Sequence, residues 1–183
     1  MAEVSPERAN PPVELRRFIR DIPDYPREGV LFRDITPLLG SAAAFRSACD
    51  QLAQRFASAD LDAVATIESR GFTFGAVIAY QLGLGVVPVR KAGQLPWATL
   101  SASYSLEYGE AVLEVHRDAI SPGARVLVVD DLLATGGTAV ATRKLITQLE
   151  GEVVAFGFLI ELLELAGRAR LGETARVEAL LSL

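Results

Sequence analysis

The chain has 183 residues, half of them hydrophobic, and a formal charge of -5. That length supports one substantial core and fits a single domain over residues 1–183, while the acidic balance excludes a nucleic-acid or anionic-membrane surface, which needs clustered Lys and Arg. A lone cysteine, Cys49, excludes an internal disulfide or a cysteine-built metal cluster and suits a reducing cytoplasm.

Met1 to Asn10 carries acidic residues and no apolar run, so a signal peptide is not expected. Pro12, followed by Leu15, Phe18, Ile19 and Ile22 at helical spacing, predicts a short N-terminal helix. Three prolines and a glycine between Ile22 and Pro37 then predict an ordered surface excursion without long regular structure. Phe45, Ala48, Cys49, Leu52, Ala53 and Phe56 predict an amphipathic helix over Ala42 to Ala59. Asp62 to Glu68 reads as a strand, Thr73 to Leu82 as a helix and Val86 to Lys91 as a strand. The apolar run from Gly75 to Val89 is broken by Gln81, glycines and Pro88, and it is shorter than the roughly 20 residues that span a bilayer, so no membrane is expected.

Polar, glycine-ended Ser101 to Glu110 predicts a mobile loop, and Ala111 to His116 a weaker strand. Arg125 to Asp130 is a strong strand, Thr138 to Glu150 a helix, Val153 to Leu162 a continuous apolar strand, and the tail ARVEALLSL a last one. Strands that alternate with helices and are apolar throughout predict an α/β fold with a mostly parallel twisted sheet flanked by helices.

In such sheets ligands collect beyond the carboxyl ends of strands, where loops open into helices. Asp130 and Asp131 fall at that place, followed by Ala134, Thr135, Gly136, Gly137 and Thr138. Unobstructed backbone N–H groups and a helix N-terminus make a phosphate pocket. Carboxylates repel phosphate but accept hydrogen bonds from sugar hydroxyls, so pair plus loop describes a ribose 5′-phosphate. No GxxxxGK[ST] pattern occurs, and with His116 as the only histidine HExxH chemistry is impossible, which leaves His116 a structural residue.

The segment VLVVDDLLATGGT, Val126 to Thr138, resembles the signature of type I phosphoribosyltransferases, which bind 5-phosphoribosyl-1-pyrophosphate (PRPP). GVLFRDITPLL, ESRGFTFG, VPVRKAGQLP and YSLEYG extend the resemblance, in order, to the adenine-using branch of that family. The resemblance implies that family's fold, with a small hood contributed by about residues 12–37 and a flexible catalytic loop. It also implies transfer of the phosphoribosyl group to adenine, giving AMP and pyrophosphate in purine salvage, with Mg²⁺ held mainly by substrate and water, in a homodimer; the cytoplasmic expectation rests on the lone cysteine and the lack of a signal-like or membrane-spanning run.

Site roles follow from the same resemblance. Ser69, Arg70, Arg90 and Lys91 would hold pyrophosphate, and Phe32 would face the purine while backbone groups of Leu31 and Arg33 read its edge. Glu107 would be the general acid or base, Tyr104 and Tyr108 would lie in the closing loop, and a cis peptide is implied at Glu68–Ser69. One departure is Gln94, where the family usually has a second lysine near pyrophosphate. The competing expectations are a hypoxanthine/guanine or pyrimidine homologue, which lacks FRDITPLL with LEYG, and a nucleic-acid-binding PRPP sensor, which needs a basic face.

Overall fold

A computed structural model describes residues 13–105, 110–172 and 175–183. They fall into two compact units, one ending at Ala48 and one running from Cys49 to Leu183.

In the first unit a 3-10 turn, Leu15–Phe18, is followed by strand β1 (Arg20–Ile22) and then β2 (Phe32–Asp34) and the short helix α1 (Thr36–Gly40). The apolar spacing of Leu15, Phe18, Ile19 and Ile22 predicts a short helix; a 3-10 turn forms over Leu15–Phe18, and strand pairing wins over Arg20–Ile22. β1 and β2 run antiparallel with Ile22 opposite Phe32, and two ion pairs lock the register, Arg20 to Asp34 at 2.6 Å and Arg33 to Asp21 at 2.6 Å. The Asp34 carboxylate also accepts hydrogen bonds from the Thr36 hydroxyl at 2.6 Å and the Thr36 amide at 2.9 Å. Those two donors, against opposition from burial and with help from Arg20, hold the Asp34 carboxyl down at about 2. A cis Tyr25–Pro26 bond lies in the excursion between the strands.

Helix α2 (Ala42–Phe56) leads into the second unit, where β3 (Ala63–Ile67), α3 (Gly71–Leu82) and β4 (Gly85–Lys91) form the first βαβ. β5 (Thr99–Ser105), β6 (Glu110–His116), β7 (Arg125–Leu133), α4 (Gly137–Gln148), β8 (Glu152–Glu161), α5 (Gly167–Arg170) and β9 (Arg176–Ser182) complete it. The sheet order is β5-β6-β4-β3-β7-β8-β9. The last five in that order are parallel, and β5 and β6 are antiparallel to their neighbours.

Alternation along the strands sends Ala65, Ile67, Val126 and Val128 to a cluster that includes Ala141, Leu145 and Ile146 of α4. The opposite face takes α3, where Gly75 lies on Thr66, and the C-terminal end of α2, where the Phe56 ring lies on Gly157. No helix of the described residues is long and apolar enough to cross a membrane.

In the second unit two elements differ from the sequence expectation. Ser101 to Ser105 belongs to β5 and is not loop: Ala102 and Tyr104 turn inward while Ser101 and Ser103 face solvent, so the polar letters are the wet side of an edge strand. β7 continues to Leu133, so Asp130 and Asp131 are part of the strand and not beyond it.

Candidate functional site

β4, β3 and β7 are adjacent and parallel, and β3 is the point from which the chain winds in both directions. Their carboxyl ends therefore lie within about 10 Å of one another, at the place where open α/β sheets bind ligands. Each end delivers one part of a site.

From β7 come Asp130 and Asp131, only 8% and 5% exposed. The Asp131 amide donates to Asp130 Oδ1 at 2.9 Å, and Arg70 Nε approaches Asp131 Oδ2 at 2.9 Å. Two adjacent acids with one nearby guanidinium are under-compensated. Burial, followed by the charge of its neighbour, pushes Asp130 well above the usual carboxylate range. Burial also raises Asp131, and Arg70 pulls it partly back. Tyr104 of β5 is close enough to feel this charge: burial first, then Asp130, raises its hydroxyl.

β7 then turns through Ala134, Thr135 and Gly136 into α4. Gly136 sits at φ 79°, in the left-handed region, and no side chain caps the helix. Gly136 and Gly137 are buried, Ala134 and Thr138 half-buried and Thr135 exposed. The first-turn amides of α4 thus face a turn without a capping side chain, the arrangement that receives an anion.

From β3 comes the turn Glu68–Ser69–Arg70 into α3, with a cis bond at Glu68–Ser69. Ser69 is exposed, whereas Arg70 is turned toward Asp131. From β4 come Arg90 and Lys91. The Glu68 carboxylate joins the two ends, accepting from Arg90 Nε at 3.2 Å and from the Lys91 amide at 3.0 Å, while Arg90 Nη1 donates to the Gln94 carbonyl at 2.9 Å. Burial alone would raise Glu68, but the Lys91 amide and Arg90 together outweigh it and hold the carboxyl below its usual range. Gln94 thus takes part through its backbone.

Within the first unit, Leu31 is 43% exposed and Phe32 and Arg33 are half-buried in and beside β2. Phe32 meets Tyr25 edge to face, with ring centroids 5.2 Å apart, and Arg33 is held by Asp21. Glu107 and Tyr108 lie outside the described residues.

Sequence reasoning missed three contributors: Glu68 as the clamp between two strand ends, and Gly167 and Arg170 of α5, whose backbone meets Ala134 and Gly136 and whose guanidinium donates to the Thr135 carbonyl. Glu68 could have been found, since an acid beside a predicted RK strand end invites a pair. The other two are some thirty residues from the loop in the chain, and nothing local marks them. A cavity of about 730 Å³, lined by Asp62, Val86, Asp118 and Ile120 among others, opens at the opposite, amino-terminal end of β3 and β4. It lies at the other end of the strands from Glu68, Arg90, Asp130 and Asp131, and the strand-end chemistry, not cavity size, identifies the site.

A phosphoribosyl transferase domain matches residues 35–174. An adenine phosphoribosyltransferase of Thermosipho melanesiensis is 53% identical over 163 residues, 89% of this chain and 93% of its own length. Among solved structures, the adenine phosphoribosyltransferase of Thermoanaerobacter pseudethanolicus aligns with a TM-score of 0.90 and 48% identity, covering 93% of this chain and 98% of its own. The Saccharomyces cerevisiae enzyme, complexed with adenine and an iminoaltritol bisphosphate, aligns with a TM-score of 0.86 and 40% identity over 92% of this chain and 97% of its own. With a type I phosphoribosyltransferase sheet and relatives of this identity along nearly its whole length, the chain belongs to the adenine phosphoribosyltransferase family.

Proposed function

We propose that this chain transfers the 5-phosphoribosyl group of PRPP to adenine, giving AMP and pyrophosphate in purine salvage. The observation that carries the reading is the adjacency of three parallel strand ends bearing a cation pair, a turn into a helix, and a buried acid pair followed by an uncapped glycine loop. The adenine complex of the yeast relative supports the choice of nucleobase.

In this reading the amides of Ala134, Thr135, Gly136, Gly137 and Thr138 hold the 5′-phosphate, and Asp130 and Asp131 accept from ribose hydroxyls. Hydrogen bonds from the ribose hydroxyls also offset the burial that raises both acids in the free protein. Ser69, Arg90 and Lys91 face pyrophosphate, and Arg70 balances Asp131 from the same turn. As the bond from ribose C1 to pyrophosphate oxygen breaks, its electron pair leaves with pyrophosphate, where fixed cations stabilise developing charge. The adenine N9–H bond breaks, its electron pair forms the new bond at C1, and its proton passes to a general base.

Phe32 stacks on the purine, and backbone groups of Leu31 and Arg33 read the edge that distinguishes a 6-amino group from a 6-oxo group. Glu107 serves as general acid or base, with Tyr104 and Tyr108 over the ribose; exclusion of water protects the cationic sugar from hydrolysis.

Mg²⁺ fits this site as a substrate-borne ion. Among the described residues no group of three acids, histidines or cysteines could cage a metal, while an incompletely balanced carboxylate pair at a strand end suits the water shell of an ion carried by phosphates. When bound, the ion neutralises pyrophosphate charge. We also propose a homodimer working in the cytoplasm. On the β4 side of the sheet, Val86 and Pro88 are exposed, as is Tyr80 of α3 at 86%, an apolar group that a second copy would cover. Light scattering that returns a monomer at micromolar concentration contradicts the dimer. Incubation with PRPP, Mg²⁺ and each nucleobase tests the reaction: AMP and pyrophosphate from adenine alone are expected, and GMP, UMP or no nucleotide overturns it.

A further inference from the structure

The loop between β7 and α4 is shaped from behind. After β8 the chain makes a 3-10 turn, passes Ala166 at φ 48° and enters α5, whose first residue, Gly167, is pressed against the loop. A Cβ on Gly167 would collide with the Ala134 carbonyl oxygen and lie 2.9 Å from the Gly136 nitrogen, and a Cβ on Gly136 would lie 2.7 Å from the Gly167 carbonyl oxygen. Both sides of this contact are backbone, which cannot step aside as a flexible side chain can.

Three residues on, Arg170 Nη1 donates to the Thr135 carbonyl at 3.2 Å. The backing element is itself anchored. Arg168 grips the buried Glu161 of β8 through two hydrogen bonds, 2.9 and 2.5 Å, and donates to the Val177 carbonyl of β9 at 2.8 Å. Arg143 of α4 donates to the Leu171 carbonyl at 2.6 Å, closing the ring. Ala134 to Gly136 are therefore held between α4 and α5 through the Ala134 and Thr135 carbonyls and the backbone of Gly136.

We propose that Gly167 and Arg170 are positioning residues for phosphate binding: Gly167 sets the curvature of the 134–137 loop by its lack of a side chain, and Arg170 fixes the Thr135–Gly136 peptide through its carbonyl. The proposal rests on the reading of that loop as the 5′-phosphate site. Neither residue touches substrate. Each acts through the direction of loop amides, so the effect falls on PRPP, ribose 5-phosphate and AMP and spares adenine. An array of amides converging on one anion is sensitive to small rotations, because every donor must keep its angle at once.

The test compares wild type, Gly167→Ala and Arg170→Met by steady-state kinetics, ribose 5-phosphate titration and thermal unfolding. Gly167→Ala raises the KM for PRPP and the Kd for ribose 5-phosphate about tenfold or more, with the KM for adenine within about twofold of wild type. Arg170 is exposed, so Arg170→Met keeps the wild-type Tm while weakening ribose 5-phosphate by about two- to fivefold; it carries the test even where Gly167→Ala fails to fold. Unchanged ribose 5-phosphate affinity in Arg170→Met overturns the proposal, as does a folded Gly167→Ala with wild-type KM for PRPP. A wild-type protein that binds no ribose 5-phosphate overturns the phosphate-site reading itself, an outcome distinguishable from loss of the backing role alone.

Discussion

Adding a single methyl at Gly71 sets the packing of α3 directly against the acid pair. A Cβ built there lies 2.8 Å from Asp130 Oδ1, 3.0 Å from the Val129 carbonyl oxygen and 3.2 Å from Asp130 Cα, where ordinary contact begins at 3.4 Å. The helix start or the end of β7 must give by up to about 0.6 Å, and β7 is clamped between β3 and β8. Overpacking of a close-packed interior costs about 1–3 kcal/mol, which for a chain of this size lowers Tm by roughly 2–12 °C. The Asp130 carboxylate is the nearest atom and moves most, so its grip on ribose suffers: a displacement of this size raises the KM for PRPP about tenfold and leaves the KM for adenine nearly unchanged. Calorimetry and AMP-formation kinetics on Gly71→Ala measure both. A variant with the Tm of wild type and an unaltered KM for PRPP refutes the contact and the role assigned to Asp130.

Asp130→Asn removes a carboxyl whose pKa is raised by burial and by Asp131. The native state holds that proton more tightly than the unfolded chain, so this group's contribution to stability falls as pH rises through the raised pKa. The variant is expected to be more stable than wild type at neutral pH, to lose that advantage toward pH 4, and to lose most activity; a lower Tm at pH 7.5 contradicts this. Asp34→Ala behaves oppositely, because a carboxyl held at about 2 stabilises above the unfolded value and loses its contribution as pH falls from about 4 to 2. The shift corresponds to at most about 2.5 kcal/mol; Arg20 is 58% exposed, so solvent screening leaves about 1 kcal/mol, and equal destabilisation at pH 7 and pH 2.5 would refute the assignment. Arg90→Met should weaken inhibition by pyrophosphate by about tenfold or more, the loss of one charged donor, without changing the KM for adenine. An unchanged pyrophosphate Ki removes Arg90 from the site.

How far the sequence discloses this molecule depends on which force decides each segment. β3, β7 and β8 are legible because a strand buried on both faces must be apolar throughout, and their order with α3 and α4 follows from alternation. The loop from Ala134 to Thr138 is legible because its small residues serve the backbone. β5 is hidden, since Ser101 and Ser103 on its wet face read as loop. The turn and strand after Leu15 are hidden because a helical apolar spacing is overruled by pairing with a strand a dozen residues away and by two Arg–Asp pairs. Asp130 inside a strand contradicts local propensity and is tolerated through Arg70 and the Asp131 amide; such violations of local rules concentrate at functional sites. The α5 backing leaves no local signal, because it exists only once β8 has folded alongside β7.

A crystal structure of the protein with AMP tests the whole reading in one step. The 5′-phosphate is expected on the amides from Ala134 to Thr138, with ribose hydroxyls in hydrogen-bond reach of Asp130 and Asp131. Nucleotide seated instead in the cavity beside Asp62, Val86 and Ile120, at the far end of the sheet, would contradict it.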